Sequence, residues 1–384
     1  MTMNKNTDSH QTPVLIAAFV FACLAVIGLL FVLTMPNANE PTQPEVSATV
    51  PPADCEIMDA YDGLIGQALQ EAQEAALDTS RVFWIDRDAV AAPVPNPACY
   101  GTSDDAASLG WLLEDASEIL NGQQTLFSTE IELYPKSEVH YYLDESIFTV
   151  TWQQLIDNYI YTFAEVKITH PSQFRRYLAK NEFNSDYTHP VSVLAEEVNA
   201  VLASSADHYR GRNQGIVVYQ NTVYQTSYSH KIDTCFVDHR GDLILVPAGH
   251  FQSEAEIHQF AQSNDINFSI AFGPILIADG VRCEPKEYYL GEIYGKYPRA
   301  ALCQKDELHY IIVMANGGDG HWNTPNIHMF ADQIEKLGCI SAYTLDGGKT
   351  ASMTMQGEAL NPRDKSARWV SDIIYFATAI PTKE

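Results

Sequence analysis

The sequence predicts an α/β chain of mixed α+β type. A central mixed sheet carries a C-terminal parallel βαβ unit, and an N-terminal transmembrane helix precedes it. The chain has 384 residues, of which 46% are hydrophobic, which is enough to bury a sizeable core. Segments rich in β-branched and aromatic residues alternate with segments of helical periodicity, most clearly across residues 308–345. A charge-free apolar stretch, Val14–Leu33, lies close to the amino terminus.

The apolar stretch Val14–Leu33 fits a membrane anchor. Its 20 residues would span a hydrocarbon core of about 30 Å as a helix. A cleaved signal peptide is the alternative, but the run is longer than a typical signal-peptide core and no A-x-A site follows it closely. Lys5 precedes the run, and no Lys or Arg follows it before Arg81, so the positive-inside rule places the short tail inside. We therefore predict a cytoplasmic tail at 1–13, an anchor at 14–35, and a single-pass cell-membrane protein whose C-terminal domain is extracellular.

The region after the anchor is predicted to be a spacer followed by helices. Residues 36–54 contain five prolines and no apolar periodicity, which is typical of an extended linker. Apolar residues then recur at helical spacing through 56–77 and again through 106–120. These patterns predict a Pro-rich linker, a helical N-terminal extension over 55–135, and the main domain over 136–384.

The main domain opens with a predicted β-hairpin. The segments 147–156 and 159–168 are rich in β-branched and aromatic residues, and an Asp-Asn pair separates them. Residues 171–181, which begin with a proline, are predicted to form a short helix, and residues 191–203 another. We therefore expect strands and short helices to alternate from the start of this domain.

The charge and the motif content of the chain exclude several functional classes. A formal net charge of −26 repels nucleic acid and anionic lipid, so we expect no nucleic-acid partner. The sequence contains no G-x-S-x-G, Walker or H-E-x-x-H motif, which disfavours a serine hydrolase, a nucleotide hydrolase and a zincin. We expect no cofactor.

The cysteines and histidines do not predict a metal site. Six cysteines lie outside the anchor, at positions 55, 99, 235, 283, 303 and 339. An even number permits disulfides in an oxidising compartment, but a chain of this size does not need them, and buried free thiols remain an equal alternative. No C-x-x-C spacing occurs, and His309, His321 and His328 lack the spacing of metal ligands.

The most informative stretch is a strand–helix–strand pattern. Residues 308–315 form a continuous apolar run, 327–338 have helical periodicity, and 339–345 form a second apolar run. Such a crossover makes its two strands parallel, so their carboxyl ends lie at the same edge of the sheet. Asn316 to Asp319 follow the first strand, and Asp346 to Gly348 follow the second. Since ligands bind outside the carboxyl ends of strands in open α/β sheets, we expect a site there, although each segment alone would also suit an ordinary turn.

Five short elements occur in an order that resembles a known family. They are Asp207-His208-Tyr209 in SSADHYRGR, Phe272-Gly273-Pro274 with Leu276, Pro298-Arg299-Ala300, Leu345 to Gly348, and Asn361 with Arg368, Val370 and Asp372. From about Tyr141 to the carboxyl terminus the chain resembles the phosphodiester glycosidase family. That family includes the lysosomal enzyme that removes N-acetylglucosamine from a phosphodiester on mannose, and many bacterial exopolysaccharide-related proteins.

The chain departs from the family pattern at three places. Ser-Ser-Ala-Asp, ending at Asp207, replaces an Asn-Gly-Asp start, and Met-Ala-Asn-Gly-Gly at 314–318 replaces an Asp-Gly-Arg element. Lys349 stands where the family usually has a third glycine. Either the substrate differs from that of the family, or the catalytic power is reduced or lost.

The resemblance implies a membrane-anchored extracytoplasmic hydrolase that cleaves a glycosyl phosphodiester of an envelope polymer or exopolysaccharide. This reaction needs a group that binds the phosphate charge and a carboxyl group that stabilises or attacks the developing oxocarbenium ion. The predicted catalytic residues are Arg299, whose planar guanidinium matches two phosphate oxygens, and the carboxylates Asp346 and Asp207. The predicted substrate-binding residues are Gly347, Gly348, Asn316, Gly317, Asn361, Arg368 and Tyr209.

Each of these residues also has an ordinary structural explanation. Arg299 could form a surface salt bridge, Asp346 could belong to a turn, and Asp207 could cap a loop. The alternative function is a non-catalytic cell-envelope glycan-binding protein on the same fold, which the departures from the family pattern favour. The two functions differ in geometry, since an enzyme needs Arg299 and Asp346 to face one cleft.

Overall fold

The structure is a computed structural model that describes residues 83–212, 214–227, 231–289, 294–317, 324–362 and 368–382. The chain divides into two units, 1–76 and 77–384, and the described residues belong to the second. The predicted tail, anchor and linker lie outside the described residues, as does the first part of the predicted extension. Among the residues that are described, no helix is both long enough and apolar enough to cross a membrane.

The described part of the chain is rich in strands and has only short helices, which confirms the predicted mixed α+β class. The helices are α1 (Gly110–Asp115), α2 (Ser117–Leu120), α3 (Val191–Glu197), α4 (Tyr209–Arg212), α5 (Glu254–Ser263) and α6 (Ile327–Glu335). Single 3₁₀ turns occur at Pro97–Cys99, Ala106–Leu109, Pro171–Gln173, Ala179–Asn181 and Gly348–Thr350.

A nine-stranded sheet lies at the centre of this unit. With strands numbered in chain order, its spatial order is β1 (Tyr100–Ser103), β2 (Val139–Leu143), β3 (Ile147–Ile156), β4 (Tyr159–Ile168), β15 (His309–Gly317), β14 (Arg299–Asp306), β16 (Ser341–Leu345), β12 (Ile275–Ala278) and β13 (Val281–Arg282). All neighbouring strands of this sheet run antiparallel. The prediction of a mixed sheet is therefore wrong as regards strand pairing.

The predicted βαβ crossover is present, but its two strands are not neighbours. β15 leads into α6 and then into β16, and both strands are antiparallel to β14, which lies between them. β15 and β16 therefore run parallel to each other without pairing, and their carboxyl ends lie at the same edge. Only residues 307–308 join β14 to β15, so these two strands pair as a tight hairpin. β14 therefore occupies the side of β15 on which a parallel β16 would otherwise pair.

Three smaller sheets complete the described fold. The five-stranded sheet has the order β18 (Glu358–Ala359), β17 (Met353–Met355), β6 (Leu202–Ser205), β19 (Asp372–Phe376) and β5 (Phe174–Leu178). The three-stranded sheet has the order β10 (Leu243–Val246), β9 (Thr234–Asp238) and β11 (Ile266–Ile270), and a hairpin pairs β7 (Gly215–Tyr219) with β8 (Thr222–Ser227).

The element predictions at the start of the main domain are confirmed in part. The hairpin has the predicted bounds in β3 and β4, and both residues of its turn, Asp157 and Asn158, have positive φ. The predicted helix at 171–181 is wrong, since only a 3₁₀ turn forms there before β5. The predicted helix at 191–203 is shorter than expected: α3 ends at Glu197, and the rest leads into β6.

The core lies on both faces of the nine-stranded sheet. In β15, Ile312 and Met314 belong to the cluster on one face, while Ile311 and Val313 belong to the cluster on the other, which also contains Phe330 of α6. Alternate residues of a strand point to opposite faces, so a strand covered on both sides is apolar throughout. This explains the continuous apolar run at 308–315.

The described part of the predicted N-terminal extension packs on the same sheet. β1 pairs with β2 at the edge of the nine-stranded sheet. Leu112 of α1 and Phe127 lie in one hydrophobic cluster with Val150 and Phe163 of the β3–β4 hairpin. Residues 100–127 of the predicted extension therefore share their sheet and their core with the domain predicted to begin at 136.

The cysteines within the described residues are unbridged thiols at positions 99, 235, 283, 303 and 339. Cys303 of β14 is buried beside Cys339, and the hydrogen bond between the two thiols, together with burial, raises the pKa of Cys303 well above its ordinary value. For these five cysteines, of the two alternatives that the sequence left open, the structure shows the free thiols; Cys55 lies outside the described residues.

Candidate active site

The first residue of β14 and the residue after β16 meet at one edge of the nine-stranded sheet. Ala300 pairs with Leu345 across the two antiparallel strands, so Arg299, just before Ala300, and Asp346, just after Leu345, lie at the same end of the pair. Arg299 also pairs with Ala315 of β15 on its other side. The insertion of β14 between the two crossover strands therefore brings the cation to the edge where both strands end.

The Asp-Gly-Gly segment makes a close backbone contact as well as a turn. The N–H group of Gly348 donates a hydrogen bond to the carbonyl oxygen of Pro298 at 2.8 Å, and Gly348 has a φ of 62°. A Cβ atom on Gly347 would lie 2.5 Å from that same oxygen. Since no side chain fits at Gly347, the two glycines let the end of β16 pack against the residue before Arg299.

A cavity of about 280 Å³ opens at this edge, which we call the Arg299 cavity. Its lining includes Arg299, Asp346, Gly347, Gly348, Lys349 and Arg368. Two residues predicted to be catalytic and three predicted to bind substrate thus line one cavity. Arg299, Lys349 and Arg368 give the cavity a positively charged lining, which favours an anionic ligand although the chain as a whole is acidic.

Arg299 is a largely buried residue, with 7% of its surface exposed. Its Nη2 donates to the carbonyl oxygen of Gly295 at 2.5 Å, and its Nε donates to that of Pro325 at 3.4 Å. These contacts hold the guanidinium plane at the wall of the Arg299 cavity. A positioned guanidinium fork is suited to a phosphate group that brings two oxygens.

Asp346 has 9% of its surface exposed and lies next to His208, a residue that was not among the predicted site residues. Its Oδ2 lies 3.5 Å from Nδ1 of His208, and its backbone N–H donates to the carbonyl oxygen of Ala206 at 3.0 Å. The His208 ring packs on Gly211 of α4, where a Cβ atom would come within 2.2 Å of Nε2. The sequence signal for His208 was its place in the Asp207-His208-Tyr209 element.

Asp207 is fully buried below His208. Its Oδ1 accepts the backbone N–H of His208 at 2.6 Å, and its Oδ2 accepts the backbone N–H of Ala271 at 2.8 Å. The Oδ2 atom also lies 3.4 Å from Nη2 of Arg176, in an ion pair whose side chains are both inaccessible to solvent. The carboxylate is therefore engaged by groups that hold the loop carrying His208.

Arg176 joins Asp207 to a second buried carboxylate, Asp372. Nε and Nη2 of Arg176 donate to Oδ2 of Asp372 at 2.9 Å and 2.7 Å. Burial, together with the nearby charge of Asp207, raises the pKa of Asp372 to about 7 in spite of the opposing effect of Arg176. This buried network ties β5 and β19 to the loop beneath the site.

The other predicted substrate-binding residues differ in position. Arg368 is exposed at the Arg299 cavity, and its backbone N–H donates to the carbonyl oxygen of Lys349 at 2.9 Å. Tyr209 is buried, with its ring stacked on Phe183 at 5.5 Å and beneath the guanidinium of Arg176. It does not line the Arg299 cavity.

The two predicted asparagines lie below the edge rather than in the Arg299 cavity. Nδ2 of Asn361 donates to Oδ1 of Asn316 at 3.4 Å, and Oδ1 of Asn361 accepts the backbone N–H of Met353 at 2.8 Å. Gly317 ends β15 and also lies outside the lining of this cavity. Gly318 and Asp319, which the sequence placed at the same edge, lie outside the described residues.

A second cavity of about 320 Å³ adjoins the first, and we call it the Trp369 cavity. Its lining includes Thr188, Asp207, His208, Arg210, Asp346 and Trp369. Asp346 and His208 line both cavities, so they stand at the boundary between them. Within the described ranges, no group of three or more His, Cys, Asp or Glu side chains is arranged to hold a metal ion.

Residues 196–377 match the family model described as phosphodiester glycosidase. The chain carries a phosphodiester glycosidase domain. This is a domain of enzymes, and the matched region contains every residue of the Arg299 cavity. The family resemblance seen in the sequence is thereby confirmed over 196–377.

Two solved structures are similar to the chain that carries this phosphodiester glycosidase domain. One is the zebrafish N-acetylglucosamine-1-phosphodiester alpha-N-acetylglucosaminidase catalytic domain, auto-inhibited by its pro-peptide, with 14% identity over 68% of this chain and 92% of that one and a TM-score of 0.48. The other is a hypothetical protein from Synechocystis, with 15% identity over 65% of this chain and 64% of that one and a TM-score of 0.44. No curated protein sequence matches the chain.

Proposed function

We propose that this chain hydrolyses a glycosyl phosphodiester, the diester of a sugar 1-phosphate, in an envelope polymer or exopolysaccharide. The observation that carries the proposal is the presence of Arg299 and Asp346 in one cavity, within the region that matches the glycosidase family. A phosphodiester has a negative charge beside the bond that breaks, so its cleavage needs a cation and a carboxylate at short range.

Arg299 holds the phosphate in this mechanism. Its guanidinium donates to two phosphate oxygens and stabilises the charge that grows on the phosphate as the glycosidic bond breaks. Lys349 and Arg368, which line the same cavity, add positive charge to it. Because a phosphate is a good leaving group, a strong general acid is not needed on that side.

Asp346 supplies the carboxylate for the developing oxocarbenium ion. Asp346 lines both cavities, and in this proposal it lies beside the bond between sugar and phosphate. His208, 3.5 Å away, orients this carboxylate. In this scheme Asp207 is a positioning residue, since its two oxygens hold the backbone N–H groups of His208 and Ala271.

We further propose that the chain acts outside the cell, anchored through residues 14–35. The support is the 20-residue charge-free run and the distribution of basic residues around it. Fractionation of cells that express the full chain, with alkaline carbonate extraction and protease shaving, tests this. The main domain should stay with the membrane and be digested from outside; release by carbonate or full protection from the protease would contradict the anchor or its orientation.

The hydrolysis is tested with purified full-length protein and a panel of methyl diesters of sugar 1-phosphates, both hexoses and N-acetylhexosamines. We expect the native protein to release free sugar and methyl phosphate, and Asp346→Asn to do so roughly 100-fold or more slowly. If no diester is cleaved while sugars or diesters still bind, the alternative of a glycan-binding protein on the same fold replaces the hydrolase. Lys349, which departs from the family pattern at the cavity wall, is the observation that keeps this alternative open.

A further inference from the structure

A stack of three rings stands at the rim of the Trp369 cavity. Trp369 is stacked on His189 with ring centres 5.2 Å apart and an interplanar angle of 3°, and Tyr187 packs on His189 with ring centres 4.4 Å apart. Backbone hydrogen bonds of 3.1 Å and 2.8 Å join His189 and Val370 in both directions. Two chain segments far apart in sequence are thereby held together, so the indole plane has a defined orientation.

The indole of Trp369 is unusually open for a residue held in this way. It is 60% exposed, although one of its faces is covered by His189. The exposed surface therefore includes the other face and the edge, and the residue lines the Trp369 cavity. A large, rigid, exposed aromatic face beside a cavity is typical of a binding surface, because it offers contact area with little loss of conformational entropy.

The lining of this cavity also offers polar groups beside its apolar surface. The hydroxyl-bearing residues Thr188, Thr350 and Ser371 line it, as do Asp346 and Arg210, which forms an ion pair with Asp186. A pyranose ring matches this arrangement, since its C–H groups form a flat apolar face and its hydroxyls point outward from the ring edge. The volume of about 320 Å³ lies near the lower end of the roughly 300–1,000 Å³ of small-molecule pockets. It therefore suits one sugar ring rather than a chain of them.

We infer that the Trp369 cavity binds the glycosyl ring of the substrate, with Trp369 as the stacking platform. The inference rests on the proposed function, which places the phosphate in the Arg299 cavity. Asp346 lines both cavities, so a phosphate in the first and a sugar in the second would bring the anomeric carbon to this carboxylate. Arg299, Lys349 and Arg368 line the first cavity, and Trp369 lines the second together with Arg210.

The experiment compares Trp369→Ala with a matched control, Trp84→Ala, in the full-length protein. Trp84 is exposed to the same extent, 61%, and lines neither cavity. KM and kcat are measured for the methyl diester that the native protein cleaves best. Binding of the corresponding free monosaccharide, and of inorganic phosphate, is measured separately by saturation-transfer NMR and calorimetry.

We expect Trp369→Ala to raise KM and weaken monosaccharide binding by roughly 10-fold, with phosphate binding and the melting temperature unchanged and Trp84→Ala equal to native. Hydrolysis with native KM in Trp369→Ala would overturn the sugar site while leaving the proposed function intact. If no diester is cleaved, the hydrolysis is refuted, and the sugar site is judged by monosaccharide binding across the whole panel. Weaker monosaccharide binding in Trp369→Ala than in the native protein would then still support the sugar site. Binding that is absent, or equal in the two variants, overturns the sugar site.

Discussion

Arg299 and Asp346 lie at the same end of two paired antiparallel strands, one just before Ala300 and the other just after its partner Leu345. The hydrogen bond from Gly348 to Pro298 closes this contact between the two segments. The relationship depends on β14 lying between β15 and β16, since a directly paired βαβ unit would leave the Arg299 segment elsewhere. The cation and the carboxylate are therefore brought together by the strand order.

Replacing Arg299 by lysine tests the phosphate contact. Lysine keeps the charge but not the planar fork, and the hydrogen bonds to Gly295 and Pro325 would lose their geometry. We expect kcat/KM for sugar-1-phosphate diesters to fall by roughly 10- to 100-fold, the cost of one or two hydrogen bonds to a charged group. Steady-state hydrolysis of the methyl diester measures this.

The control for this variant is Arg240→Lys. Arg240 is an exposed arginine that pairs with Asp238 and Asp242 away from both cavities. It should leave kcat/KM at the native value. A native rate in Arg299→Lys, or an equal loss in both variants, would contradict a specific role of Arg299 in holding phosphate.

Asp346→Asn tests the carboxylate. The amide keeps the size and the backbone contact to Ala206 but removes the negative charge that would face the oxocarbenium ion. We expect kcat to fall by roughly 100-fold or more, with the affinity for phosphate unchanged or stronger. Single-turnover kinetics and phosphate titration measure the two quantities. Asp104→Asn, an exposed acid outside both cavities, is the control, and a loss of less than threefold in Asp346→Asn would remove it from the mechanism.

Gly211→Ala tests whether His208 orients Asp346. The new Cβ atom would come within 2.2 Å of the His208 ring, so the ring must move away from its place beside Asp346. Alanine is the better helix former in α4 by roughly 0.5–1 kcal/mol, so the melting temperature should not fall. We expect kcat to fall by roughly 10- to 100-fold through the displaced ring.

The double variant His208→Ala/Gly211→Ala separates this route from any other effect of Gly211. Without the ring there is nothing for the Cβ atom to displace, so Gly211→Ala should cause no further loss in the His208→Ala background. Additive losses in kcat would show that Gly211 acts through another contact. A native kcat in His208→Ala would show that the ring does not orient the carboxylate.

The sequence could predict a site at this edge of the sheet because the patterns that indicate it lie within short stretches of the chain. Asp346 follows an apolar run and precedes two glycines, and the strand–helix–strand pattern sets the direction of β15 and β16. The place of β14 could not be predicted in the same way. Strand order depends on which edges are already occupied, and here the short hairpin between β14 and β15 decided it.

The residues that the sequence missed are those that distant pairings bring to the site. His208 follows β6 and Trp369 precedes β19, and these two strands are neighbours in the five-stranded sheet. The same sheet explains the wrong helix prediction at 171–181, since pairing of β5 with β19 across nearly 200 positions overrides local helical preference. The periodicity of residues within β5 or within β19 does not indicate which distant strand each one pairs with.

The buried network beneath the site gives a prediction about stability and pH. The pKa of Asp372 is raised from its ordinary value of 3.8 to about 7 in the folded protein, chiefly by burial. Between these values the folded state binds more protons at Asp372 than the unfolded state does. The contribution of Asp372 to the free energy of unfolding is therefore fully present below pH 3.8 and is lost as the pH rises through about 7.

Asp372→Asn isolates this contribution, because asparagine keeps the shape of the side chain and does not titrate. At pH 4.5 this side chain is neutral in both proteins, and as the pH rises only the native protein gains a buried negative charge at this position. The difference in free energy of unfolding should be largest at pH 4.5 and become smaller towards pH 7.5, as the native protein loses its protonated Asp372. Urea unfolding across this range measures it, with Asp104→Asn as the exposed control. A difference that stays constant over this range would mean that Asp372 is ionised throughout and that its pairing with Arg176 outweighs burial.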